Sequence, residues 1–182
     1  GNVDLLGDGS VRGTQITAGG NIEINSGDLG VSLLTADSIL VNAGNIDMGR
    51  VNAGTAVFNA AGRIRDAGSM VQVNTLTMIA SGDIGTEGSP IQTLTRNLKQ
   101  ITGNNVHLRE LSQGVVTLGS IEARGDLTLS APNLGLPAGQ GGFVDGNGDA
   151  LNLRVGGDTT LDIAGYFGRP SDIMEVDLKG NL

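Results

Sequence analysis

Asp145-Gly146-Asn147-Gly148-Asp149 sets oxygen-bearing side chains at alternate positions, as the first half of a calcium loop does. The resemblance stops there. Ala150 stands where such a loop needs Gly, and Gly156 stands where it needs a bidentate Glu, so the segment is not an EF-hand. Val144 likewise stands where the calcium-binding nonapeptide repeat needs Gly. Asp145, Asn147 and Asp149 remain a calcium candidate, with a solvated turn as the plainer reading. Arg124-Gly125-Asp126 matches the integrin-binding tripeptide of adhesive proteins. Asp28, Asp83, Asp126 and Asp158 are carboxylates, and sugar cleavage would need two of them on one face, or carboxylate-bound calcium with a basic residue. Tyr166-Phe167, with Phe143, is nearly the whole aromatic supply and the candidate ligand contact.

Other chemistries lack their parts. His107 is the only His, so no His-paired nucleophile or multi-His metal site can be assembled within the chain. Its place between Val106 and Leu108 puts it on an outer face. Cys is absent, which removes disulfides and thiolate chemistry and suits either a reducing cytosol or a long exported protein. No phosphate-binding Gly-x-x-x-x-Gly-Lys-Ser/Thr loop occurs. The net charge of −8 comes without a basic stripe, which argues against nucleic acid and against anionic lipid. No apolar run reaches the roughly 18 residues of a membrane span. The chain begins at Gly1 rather than Met and reads as one β-helical segment, 1–182, of a longer protein.

The elements that must position these residues are short strands. Hydrophobic residues make up 38% of the 182 but aromatics only 2%, so Val, Ile, Leu, Ala and Met must fill the core. The 31 Gly suit many tight turns. Three segments repeat at a spacing of 17 residues: Asn21-Ile22-Glu23-Ile24-Asn25, Ser38-Ile39-Leu40-Val41-Asn42 and Thr55-Ala56-Val57-Phe58-Asn59. Ile22, Ile39 and Ala56 share one apolar position, and Ile24, Val41 and Phe58 share the next. Each segment ends in Asn and a small-residue turn, Ser26-Gly27-Asp28-Leu29, Ala43-Gly44-Asn45-Ile46 and Ala61-Gly62-Arg63-Ile64; Ser81-Gly82-Asp83-Ile84 continues the series and Ala131-Pro132-Asn133-Leu134 matches it again.

Period-2 alternation is the strand pattern, and no helical stripe competes with it. Equivalent residues at full-period spacing favour a parallel β-helix over a hairpin meander, because stacked coils place like above like about 4.8 Å apart. The reading is an all-β, right-handed parallel β-helix of roughly eight coils, about 35–40 Å long, with loop insertions. Asn25, Asn42 and Asn59 are expected to form a side-chain ladder. Residues 134–150 are expected to be the largest loop, and Thr86 to open a longer excursion before Leu98. Gly125-Asp126-Leu127 is aligned with both Gly20-Asn21-Ile22 and Gly157-Asp158-Thr159. On that alignment the Gly-Asp pair is turn chemistry chosen for its backbone angles, and only Arg124 is left for an integrin-type role.

Ala18-Gly19-Gly20-Asn21-Ile22-Glu23-Ile24 and Gly125-Asp126-Leu127-Thr128-Leu129-Ser130-Ala131 resemble the repeats of filamentous haemagglutinin-like exported bacterial proteins. Ser81-Gly82-Asp83-Ile84-Gly85-Thr86 through Thr93, and Leu118-Gly119-Ser120-Ile121, are similar to segments of such giant surface proteins. The resemblance implies a right-handed β-helix, secretion, a cell-surface or extracellular location, and a non-catalytic role as adhesin shaft or stalk. The partner implied is a host or neighbouring-cell surface glycan or protein, and open coil ends predict end-to-end self-association. No cofactor is expected beyond the calcium candidate. The alternatives are a glycan- or protein-binding module using the 134–150 loop, and a β-helix polysaccharide lyase or hydrolase.

Overall fold

The computed structural model describes residues 1–66, 68–132, 141–146, 148, 150–168 and 173–182, the side chain of Thr14 excepted. Among them there is no helix, and the strands join one sheet that winds through about eight coils. Every strand pairing is parallel; the antiparallel bridge Thr86–Ser89 closes a tight turn. The chain is a parallel β-solenoid.

A regular coil passes through three alternating segments, each sending two side chains inward. In the coil that begins at Asn21 these are Ile22 and Ile24, Leu29 and Val31, then Leu34 and Ala36, all buried. The run Asn21–Ala60 is so regular that its 40 residues form one uninterrupted ribbon. Further along, Ala56 lies beside Leu76, Leu76 beside Leu98 and Leu98 beside Leu118. Phe58, Met78, Ile101, Ile121 and Leu153 form a second column in register. Burying each such aliphatic side chain contributes about 1.5–3 kcal/mol. A single coil has too few of them, so neighbours complete each other's core.

Three expectations need correcting. Residues 134–150 are not loop throughout: Gly142–Asp145 is a strand of the wall, paired with Val115–Leu118, and Phe143 is fully buried. Thr86 opens only a tight turn, after which Ile91–Leu94 re-enters the wall beside Leu108–Glu110. Gly125-Asp126 is not the equivalent of Gly20-Asn21. Leu127 stacks between Val106 and Thr159, in the column that passes through Ile46, Ile64 and Ile84. Ile22 pairs with Val3 in a different column. The two turns have similar sequences because two corners of the coil solve the same backbone problem.

Candidate functional site

One corner of the solenoid carries a Gly-Asx column through most of its length. Gly27, Gly62, Gly82 and Gly157 each donate a backbone hydrogen bond to the coil below, to Gly9, Gly44, Gly62 and Gly125. Asp28 Oδ1 accepts from both the N–H and the side-chain amide of Asn45 at 2.9 Å. Asn45 Oδ1 accepts from Arg63 N, and Asp83 Oδ1 from Asn105 N and Nδ2. Asn105, Asp126 and Asp158 pass the pattern up to Asn181. Side-chain oxygens therefore do the work of a backbone acceptor at a bend, where ladder carbonyls turn away. The donated bond from the Asn45 amide is the largest effect holding Asp28 below the ordinary carboxylate range, and the bond from the Asn104 amide does the same for Asp83.

The glycines in this column are not there for left-handed angles. Among the described residues positive φ occurs at Gly13, Gly68, Gly85, Gly141, Gly142, Gly148 and Gly168, none of which belongs to it. They are there for close approach: a Cβ on Gly44 would run into the Gly27 carbonyl oxygen, and one on Gly157 into Asp126 Oδ1. Asn104 occupies the column once, with its amide turned to Asp83 Oδ1 at 3.0 Å.

This corner contains the Arg-Gly-Asp tripeptide. Gly125 donates its N–H to Asn104 O, and Asp126 Oδ1 accepts from Asp158 N at 2.8 Å. Arg124 folds back along the wall, its guanidinium donating to Ser81 O at 3.2 Å and Ala80 O at 3.4 Å. All three residues are bound into the turn.

On the adjoining face the structure brings Asn25, Asn42 and Asn59 together. Asn42 Nδ2 donates to Asn25 Oδ1 at 2.7 Å, and Asn59 Nδ2 to Asn42 Oδ1 at 2.8 Å. Asn25 Nδ2 turns to Glu23 Oε1, and the ladder ends where Ile79 pairs with Asn59. His107 is half-buried on the outer face, its Nδ1 3.2 Å from Thr128 Oγ1.

Of the calcium candidate, Asp145 is described and Asn147 and Asp149 lie outside the described residues. Asp145 Oδ1 accepts from Asn152 Nδ2 at 2.8 Å. Asn152 is fully buried; its amide also donates to Leu118 O and Gly119 O, and its Oδ1 accepts from Glu175 N. It clamps the two ends of the 146–151 connection to the coil on either side. Tyr166–Phe167 forms a strand on Gly142-Phe143, with the Phe143 and Phe167 rings edge to face at 6.5 Å. Both residues are half-buried, and Phe167 packs against the core.

A carboxylate nest was missed by the sequence reading. Glu110 occupies an inward position, pairing with Thr93 below it in the column that passes through Val71. It is 1% exposed. Thr93 Oγ1 and Thr95 Oγ1 donate to Oε2 at 2.8 and 2.7 Å, while Thr95 N and Ser112 N donate to Oε1 at 3.0 and 2.9 Å. Ser112 Oγ lies 2.7 Å from Oε1. The signal was available, since Val106-His107-Leu108-Arg109-Glu110 alternates and its inward parity ends on an acid. Asp66, in Ile64-Arg65-Asp66, repeats the pattern and accepts from Ser69 N at 2.5 Å. Burial pushes the Asp66 carboxyl above its ordinary range, against the pull of the Ser69, Gln92 and Gly68 N–H groups.

Above this nest lies a groove of about 740 Å³ whose lining includes the buried Thr95 and the half-buried Ser112. Ala53, Val73 and Thr95 form its floor on successive coils. One side has Asn52 beside Gln72 and Gln72 beside Leu94. The other has Asn74 and Arg96, joined by the bond from Arg96 N to Asn74 O. Residues 112–115, on the next coil, also line it, and Ser112 Oγ donates to Thr95 O.

Comparison with protein-family models, with curated proteins and with solved structures finds no match to this chain.

Proposed function

We propose that this chain is a non-catalytic shaft segment of a large secreted or cell-surface, adhesin-like bacterial protein. The observation that carries the reading is the continuity of the Gly-Asx corner: the acceptor ladder passes from Asp28 through Asn45, then from Asp83 through Asn105, Asp126 and Asp158 to Asn181. Backbone pairing and aliphatic columns fix each coil to the next, and the ladder reinforces the steps on either side of Arg63, which together suit a stiff spacer. The buried carboxylates among the described residues, Asp66 and Glu110, are engaged by donors of their own, which suits structural rather than acid–base work. The repeat grammar that resembles filamentous haemagglutinin-like proteins supplies the surface location and the shaft role.

The test uses an antibody raised against this fragment on intact, unpermeabilised cells expressing the parent protein. Surface labelling supports the reading. Labelling only after permeabilisation overturns it.

A further inference from the structure

Outward polar residues of this solenoid differ in how far they are engaged. Asn25, Asn42 and Asn59 are spent on one another. In the groove above the Glu110 nest, Asn52, Gln72, Asn74 and Arg96 are exposed, and among the described residues no side-chain hydrogen bond or ion pair engages them. Asn52 and Gln72 are register partners one coil apart, yet their amides do not close into a ladder. Arg96 is the one charged side chain among the described residues that line the groove, in a chain whose net charge is −8.

We propose that this groove binds a linear, uronic-acid-type glycan lying along the solenoid axis, with Arg96 engaging a sugar carboxylate. A carboxamide donates and accepts at once, as a sugar hydroxyl does, and four such groups, Asn52, Gln72, Asn74 and Gln113, line the groove. The guanidinium is a planar fork that fits a carboxylate through two parallel bonds. Asn52, Gln72 and Leu94 rise one coil at a time, about 10 Å from first to third, so the contacts recur along the axis as the units of a sugar chain do. Leu94 and the exposed Val115 supply apolar surface for the C–H faces of the rings. An extended peptide is disfavoured because sheet recognition of peptides uses an unpaired strand edge, whereas the backbone at Gln72 pairs with Asn52 on one side and Leu94 on the other. Glu110 is the positioning residue beneath: it fixes the Thr95 hydroxyl and the Ser112 backbone where these residues line the groove. The site goes beyond the shaft reading and does not depend on it.

The experiment titrates the chain with galacturonic acid trimer, its methyl ester, a neutral galactose trimer and an acidic pentapeptide, following side-chain amide signals by NMR. The acid trimer is expected to shift the Asn52, Gln72 and Asn74 signals. Arg96→Gln should weaken that binding by about tenfold while leaving the methyl ester unchanged. Asn74→Ala should weaken both sugars; these side chains are exposed, so folding is not at stake. No response to any sugar at about 10 mM, a weak-binding ceiling, overturns the proposal. Equal binding by the Arg96→Gln variant overturns the role of Arg96, and a response to the peptide alone overturns the ligand class.

Discussion

Asp126 Oδ1 accepts the backbone N–H of Asp158 at 2.8 Å, although 32 residues separate them. The bond makes a turn carboxylate part of the axial spine. Asp126→Asn keeps an acceptor oxygen and should leave stability nearly unchanged. Asp126→Ala strands the Asp158 N–H and should cost about 1 kcal/mol, read from denaturant midpoints. Because Arg124 and Asp126 are both engaged by the wall, a soluble Arg-Gly-Asp peptide should not compete with any cell attachment this chain supports. Competition would show that the corner opens to serve as a ligand.

Gly44 faces the Gly27 carbonyl at a separation no Cβ tolerates, whereas Gly114 has open space around it. Gly44→Ala should lower stability by about 1–3 kcal/mol, as overpacking against rigid backbone does, and Gly114→Ala should change it little. Thermal unfolding of the two variants checks this. Equal behaviour would mean the corner can shift to admit a methyl group.

Asp66 and Asp83 should shape the acid profile in opposite directions. The folded pKa of Asp66 is raised, so its favourable contribution is complete below the unfolded value of about 3.9 and is lost as pH rises through the folded value. Asp66→Asn should therefore stabilise the protein at pH 7 and have little effect at pH 3. The folded pKa of Asp83 is lowered, so its contribution is present above about 3.9 and is lost as pH falls through the folded value. Asp83→Asn should destabilise at pH 7 and converge with wild type in acid. Denaturant unfolding at the two pH values measures both, and profiles of the same sign would contradict the assignment.

Glu110 gathers the N–H groups of Thr95 and Ser112 and the hydroxyls of Thr93 and Thr95 in a site closed to water. Glu110→Ala leaves these donors without an acceptor and should cost about 3 kcal/mol or more. Hydrogen exchange locates the damage: the amide protons of Thr95 and Ser112 should lose protection while those near Ile24 keep theirs. Unchanged protection at Thr95 would show that the nest is dispensable.

The fold was legible because the first coils are uniform. Asn25, Asn42 and Asn59 recur at a constant 17 residues, so the columns could be read by alignment alone. Beyond them the offset becomes 22 from Asp83 to Asn105, 21 to Asp126 and 32 to Asp158, and alignment by eye loses the rung. That is how Gly125-Asp126 came to be matched with Gly20-Asn21. Asn21 N donates to Asn2 Oδ1 in the same manner as Asp126 N does to Asn105 Oδ1, so the two corners share a local signature. Inward parity at Glu110 and Asp66 was readable but carried no hint of which donors would meet them. The groove was not readable, because Asn52, Gln72 and Arg96 come together only once coil register is known.

The varying offset along that corner has a consequence of its own. A coil may take up 17 residues or 32, yet the step to the next is spanned by the same single bond from side-chain oxygen to backbone nitrogen. Contour length and reach are therefore separate quantities in this molecule. Sequence can be added at a corner to make new surface without moving anything further along the axis, while only a whole added coil makes the molecule taller. Such a body works as a ruler whose graduations can be decorated without being respaced.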